Sequence, residues 1–428
     1  MPSNIVMHQS EHRDSPPSTI VPFAVGFYFA FRFCIVLLSV KIFGMDPQTG
    51  SAINLVLNFA LFLVAAFCCT GQVRLPLGQM ARLASIRWVM LFLGFSCLSL
   101  LWSDAASLSA SFAYWCGMAA DIAIVMILLR AGPVTPVTDS LMKGFVWGAC
   151  AVALVAWIMP AQADLRLGDE DLLGANPIGY LCGFAFFFAQ YLIRERGGRF
   201  VVHSLLLAVT LLRTLSKTTI VAFLISEGFL LISDKSISRK GKLLITLAAT
   251  AVVAAFSGLL ASYYEIYSNA SYQSETLTGR LGIWAYLLAE AIQQPWIGHG
   301  FDSIWKVVPP FGPEAFEAGH AHNELLQQFY AYGAVGICIF VEIYFSLFMQ
   351  VRRLAKGRLK TLLLAFLLFV LVHGGAEAER FDLSLPLWAI VMISLLIAQA
   401  YKVAEETPEV IAIRPIAFGN EASRSFSL

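Results

Sequence analysis

Charge is what this sequence has least of. Asp, Glu, Lys and Arg make up 13% of its 428 residues, half of the roughly 25% usual in soluble globular chains. Hydrophobic residues make up 58%, and the mean hydropathy is +0.73. That is more apolar surface than one water-soluble core can hide, so a lipid bilayer is the expected solvent. The net charge of +1 gives no electrostatic support for a nucleic-acid partner. A disulfide framework is also missing. The eight cysteines (Cys34, Cys68, Cys69, Cys97, Cys116, Cys150, Cys182 and Cys338) all fall in apolar runs without zinc-type spacing, where cysteine behaves as a small hydrophobe. Nor is a cleavable leader legible. The polar residues 1–19 run straight into Ile20–Phe43, which is longer than a signal-peptide core, lacks a small-residue cleavage site and reads as a first span.

A helix crosses the hydrocarbon layer in about 20 residues. Candidate runs lie near 20–43, 51–70, 88–102, 112–129, 141–160, 177–193, 201–215, 218–233, 243–261, 325–350, 361–374 and 385–401. The expected fold is all-α: a polytopic transmembrane helical protein of about 12 spans. Orientation follows from Lys and Arg in short loops. With a cytoplasmic N-terminus, seventeen of them fall in inside loops, whereas the outside loops hold Arg166, Arg280, Lys306 and Arg380, with Arg213 and Lys217 at a membrane edge. The expected organisation is a cytoplasmic tail (1–19), spans one to nine (20–261), a long periplasmic loop (262–324), spans ten to twelve (325–401) and a second cytoplasmic tail (402–428). Within the long loop, Arg280–Gln294 places Leu281, Trp284, Leu288 and Ala291 on one stripe, which predicts a short interfacial helix.

The sharpest string follows that helix. His322-Asn323 is separated by nine residues from Gly333-Ala334-Val335-Gly336. Upstream stand Thr278-Gly279-Arg280-x-x-Ile283-Trp284 and Pro295-x-x-Gly298-x-Gly300-Phe301, and Leu215-Ser216-Lys217-Thr218 opens the eighth span. Over about residues 210–345 these strings resemble the O-antigen ligase and Wzy-type polymerase superfamily of bacterial polysaccharide assembly. Lys217 departs from the pattern, which has arginine there.

The resemblance implies glycosyl transfer at the outer face of the bacterial inner membrane. The donor would be a glycan on undecaprenyl pyrophosphate, the acceptor a glycan or lipid hydroxyl. It also implies inversion at the anomeric carbon and no cofactor or metal, with a chain-length regulator and a flippase of the same pathway as possible partners. A repeat-unit polymerase is the preferred reading; a ligase acting on a lipid-core or protein acceptor stays open. From another class, a twelve-span transporter or lipid flippase stays open too, although its binding groups would sit near the bilayer midplane. A non-catalytic scaffold of an assembly complex is a third alternative.

The residue types suit the implied chemistry. A departing lipid pyrophosphate gains negative charge, and the guanidinium fork of Arg280 is shaped to hold it. The acceptor hydroxyl must lose a proton, for which His322 is a suitable base. Arg213, Lys217, His320 and Asn323 complete the candidate set as substrate-binding residues.

Each has a plainer alternative. His322 can be an interfacial cap, His320 inert, and Arg213 and Lys217 snorkelling cations. His320, His322 and Glu324 as metal ligands lack an established third partner. Glu377, Glu379 and Arg380 read as a solvated turn in preference to an acceptor contact. Arg32 and Asp121, near the centres of spans one and four, read as a structural ion pair.

Overall fold

The computed structural model describes residues 19–160, 162, 165–169, 172–234, 238–255, 277–303, 310–311, 316–317, 320–378 and 384–406. A helix occupies each of the twelve expected places: Ile20–Phe43, Pro47–Cys68, Ala84–Ser99 continued by the 3-10 turn Leu100–Trp102, Leu108–Ala131, Val134–Ile158, Ala175–Arg196, Val201–Arg213, Lys217–Ser233, Arg239–Ala255, Glu324–Arg353, Arg358–Gly374 and Ser384–Glu406. Eight are long and apolar enough to cross a bilayer, and Val201–Arg213 is shorter and apolar. The protein is an all-α, polytopic membrane protein. Its described strands, Pro310–Phe311 and Phe316–Glu317, form one small antiparallel pair in the long loop.

Helix ends follow local chemistry. Asp46 caps Pro47–Cys68 by accepting from the Thr49 amide, with proline in the first turn where its missing N–H costs nothing. Gly44 and Gly197 stop their helices in the left-handed conformation. Helix 20–43 packs on 134–158, 175–196 on 201–213, and 217–233 on 358–374. The first pair is close because Gly26 faces the Leu141 carbonyl and Gly144 the Phe23 carbonyl, where a Cβ would collide. The core centres on fully buried Trp388, whose ring lies 5.2 Å from Phe29 and 5.5 Å from Phe145.

Arg32 and Asp121 are paired as expected. Both are buried, and Ser384 completes the cluster, receiving one bond from Arg32 (2.7 Å) and donating one to Asp121 (2.7 Å).

The loop helix differs from expectation in register. It spans Leu277–Ala291, so Arg280 lies in its first turn but not at its first residue. Gly279 is inside the helix, where a glycine in the first turn is tolerated at a cost of about 1 kcal/mol relative to alanine. The helix has two apolar stripes. Ile283, Leu287 and Ala291 are fully buried against Ala321 and Tyr330. Leu281 and Leu288, from the expected stripe, are exposed, as an interfacial face would be.

Candidate functional site

Four segments meet at one end of the bundle. The first is the turn between helices 201–213 and 217–233, where Leu215 adopts φ +56° and Ser216 is buried. The second is helix 277–291. The third is the approach to helix 324–353, with His322 at φ +48°. The fourth is the turn Gly375-Ala376-Glu377 after helix 358–374.

Glu377 is the centre. It is 4% exposed, so the solvated-turn reading is corrected. Its Oε1 lies 2.8 Å from His322 Nδ1 and 3.3 Å from His320 Nδ1. Its Oε2 lies 3.5 Å from Arg280 Nη2 and accepts from Asn176 Nδ2 at 3.1 Å. Burial by itself would raise the Glu377 pKa, but His322, His320 and Arg280 together outweigh it and hold the carboxyl well below the usual carboxylate range. An ionised carboxylate accepts only, so in the neutral imidazole of His322 the proton sits on Nδ1 and the lone pair on Nε2.

Arg280 is anchored from several sides. Besides Glu377 it donates to the Ala376 carbonyl and, at 3.4 Å, to Thr218 Oγ1. Thr218 follows Lys217, so this bond joins the loop helix to the eighth span. Lys217 is exposed at the start of its helix. Arg213 turns toward another segment and donates to the Leu165 carbonyl. His320 Nδ1 lies 3.3 Å from the His322 amide. It serves that amide as an acceptor or Glu377 as a donor, but not both at once. Asn323 uses both ends of its amide within the protein: Oδ1 caps helix 324–353 through the Leu326 amide (2.9 Å) and Nδ2 donates to the Gly375 carbonyl (3.0 Å).

Of the six residues singled out, Arg280, His320 and His322 therefore converge on Glu377. Asn323 ties their segment to the Glu377 turn. Arg213 and Lys217 stand at the neighbouring turn. Glu324 is drawn away to Gln328 (2.8 Å). The groups able to surround a cation are instead His320, His322 and Glu377, whose ligand atoms lie within 4.8 Å of one another. Arg280 on the second Glu377 oxygen puts a positive charge beside that place and opposes a dication there.

The Gly-x-x-Gly string has a structural reason. Gly333 has φ +62° and kinks helix 324–353. The loop 295–300 fills the kink. The amides of His299 and Gly300 donate to the carbonyls of Tyr330 (3.0 Å) and Ala331 (2.8 Å), and the amides of Ala334 and Val335 donate back to Pro295 (2.8 Å) and Trp296 (3.1 Å). A Cβ on Gly298 would meet Ala331, and one on Gly333 would meet the Trp296 carbonyl. The two glycine motifs are thus the two faces of one contact. His299 pins it to the neighbouring loop, with Nδ1 3.0 Å from Asp104 and its ring stacked on Tyr330.

Sequence reasoning undervalued Glu377 and took Arg166 only as a loop charge. Arg166 is 5% exposed and donates to the Thr214 carbonyl (3.3 Å) and Asn176 Oδ1 (2.5 Å). The available signal was its place: a lone arginine in a loop on the cation-poor side. Glu379 and Arg380 lie outside the described residues.

Residues 202–341 match the family described as O-antigen ligase. Over 369 residues, covering 80% of each chain, the sequence is 24% identical to the exopolysaccharide production protein ExoQ of Rhizobium meliloti (strain 1021). The family match takes in Arg213, Lys217, Arg280, His320, His322, Asn323 and both glycine motifs, the same strings that fold together at one end of the bundle. The chain is a multi-pass membrane protein whose residues 202–341 are similar to the O-antigen ligase family.

Proposed function

We propose that the protein is a metal-independent glycosyltransferase of the bacterial inner membrane, with both termini cytoplasmic, that lengthens a glycan carried on undecaprenyl pyrophosphate at the periplasmic face. The observation that carries the reading is the convergence of His322 and Arg280 on one buried carboxylate, Glu377. This is a base–orienter pair with an arginine beside it. In the reaction, His322 Nε2 takes the proton of the acceptor hydroxyl, and the oxygen attacks the anomeric carbon from the face opposite the pyrophosphate. The bond from that carbon to the pyrophosphate oxygen breaks, and the configuration inverts. Glu377 stabilises the imidazolium that forms, and Arg280, with Arg213 and Lys217 at the adjoining turn, holds the charge that develops on the lipid pyrophosphate.

Polymerisation is preferred to ligation because the relative similar over most of the chain is named for exopolysaccharide production, a product made by chain growth. The family description, O-antigen ligase, favours the second reading, transfer of a finished chain to a lipid-core or protein acceptor. A chain-length regulator and a flippase of the same pathway would act beside a polymerase. The transporter alternative is disfavoured because the candidate groups gather at helix ends and loops, away from the middle of the spans.

Purified protein supplied with lipid-linked oligosaccharide tests the reading. Polymer should form without added metal or nucleotide, and His322→Ala and Arg280→Ala should each abolish it while the protein still inserts and folds. Wild-type product from both variants would sink the assignment. In cells lacking the protein, loss of long chains with single units still delivered supports the polymerase. Finished chains accumulating on the carrier lipid support the ligase.

A further inference from the structure

We propose that Arg166 and Asn176 are positioning residues of this site, a donor chain that fixes Glu377 and through it the His322 imidazole. The inference rests on the reading of His322 as the base. Arg166 comes from the loop before helix 175–196, and Asn176 is the second residue of that helix. Neither belongs to the motifs that carry the resemblance.

The polarity of the chain is fixed by chemistry. A guanidinium only donates and an ionised carboxylate only accepts. With Arg166 Nη2 on Asn176 Oδ1 and Asn176 Nδ2 3.1 Å from Glu377 Oε2, the amide can stand only one way round. It passes the influence of a buried cation to the carboxylate without a direct ion pair. A direct Arg166–Glu377 pair would pull the carboxylate toward the loop. The neutral adaptor instead leaves Oε1 to His322 and His320. Arg166 also donates through Nε to the Thr214 carbonyl, in the turn that bears Arg213 and Lys217, so one side chain spans the phosphate side and the base side of the site. A cation at 5% exposure is costly to bury unless its partners use it fully. The other charged or titratable groups facing Glu377 are His320 and His322 from the segment before helix 324–353, Arg280 from the loop helix, and His373 from helix 358–374.

Two readouts test this on the full-length protein in nanodiscs. The first is independent of turnover. In ¹⁵N-histidine spectra, His322, assigned through His322→Gln, should appear as one Nδ1–H tautomer in the wild type. Asn176→Ala should mix the tautomers or shift the Nδ1 signal. An unchanged His322 signal overturns the proposal whether or not the glycan assay shows turnover, and absent turnover with a changed signal counts against the glycosyltransferase reading alone.

The second readout is kinetic, with lipid-linked oligosaccharide as donor. Asn176→Ala and Arg166→Gln should lower kcat by about 10- to 100-fold, the range for removing a group that orients another, with KM little changed. The acid limb of the pH–rate profile should move to higher pH, because a Glu377 charge shared with fewer donors stabilises the imidazolium more strongly. Asn176→Asp separates positioning from mere packing. It satisfies Arg166 with a full ion pair but sets a carboxylate against Glu377, so it should be slower than Asn176→Ala at equal thermal stability. A raised KM with unchanged kcat, or Asn176→Asp at the wild-type rate, overturns the proposal.

Discussion

Glu377→Gln is the most informative single change, because it keeps shape and removes only charge. The native carboxylate has donors on both oxygens, with His322 and His320 toward Oε1 and Asn176 and Arg280 toward Oε2. A glutamine has one acceptor and one NH2 group, so either orientation aims donors at donors. The variant also leaves Arg280 without its counter-charge and removes the stabilisation of the imidazolium. Two unit charges about 4 Å apart at an effective dielectric of 20 interact by about 4 kcal/mol, and Arg280 offsets part of this. A net loss of about 3 kcal/mol corresponds to roughly 100-fold in kcat, inside the range of general-base contributions. The assay is the initial rate of the first transfer to a short acceptor across pH 5 to 9, a window set by the ordinary pKa of histidine near 6.5. A rate within about threefold of wild type, with an unshifted acid limb, is too small a loss for this argument and would refute it. Stability gives a second handle. The folded pKa of Glu377 lies below its unfolded value, so its contribution is fully present above about pH 4.3 and is lost as the pH falls toward the depressed folded value. The melting difference between wild type and Glu377→Gln should therefore shrink as the pH falls below about 4.

Three further outcomes follow from the packing. Gly333→Ala places a Cβ against the Trp296 carbonyl at a positive φ. At φ +62° and ψ −161°, a backbone region essentially confined to glycine, it should cost at least about 1–3 kcal/mol and yield poorly folded protein by size-exclusion chromatography, whereas Gly78→Ala, which meets no neighbour, should behave as wild type. Asp121→Ala leaves Arg32 buried without its acid and should destabilise by about 3–5 kcal/mol, seen as a lower melting temperature, with the rate per folded molecule nearly unchanged. Asn323→Ala removes a helix cap worth about 1 kcal/mol and the tie to Gly375. It should lower both the melting temperature and kcat, and a pure KM effect would mean that Asn323 touches substrate instead.

The spans were legible because an apolar run of membrane length is rarely anything but a span, and Arg32 with Asp121 because two ionisable groups within lipid must find one another. His322 and Arg280 were legible through their strings. Glu377 was not. An acidic residue in a polar turn after a span has the same composition whether it faces water or a buried histidine. Only the fold brings it to His322, 55 residues away, and to Arg280, 97 residues away. The loop-helix start failed for a local reason, since the helix begins at Leu277 and holds Gly279 inside its first turn. The role of Gly333 and Gly336 was hidden similarly. Their spacing marks a motif, but Gly333 is required by a contact between two segments, the kink plugged by residues 295–300, and Gly336 by the Tyr332 side chain packed against it.

Backbone strain follows the same division of the molecule. Among the described residues, the non-glycine positions with positive φ are Leu165, Leu215, Asp302 and His322. Such a conformation costs of order 1–3 kcal/mol and persists only where surrounding contacts over-determine it. Three of the four are held by side chains of the site. The Leu165 carbonyl receives Arg213, the residue before Leu215 is held by Arg166, and His322 is held by Glu377. The arginines thus fix the backbone that carries the candidate phosphate-side and base-side groups relative to one another. This assigns Arg213 a part that its exposed edge position in the sequence did not suggest. Its guanidinium clamps the loop that contains Arg166, and Lys217 at the turn is the more exposed of the two cations.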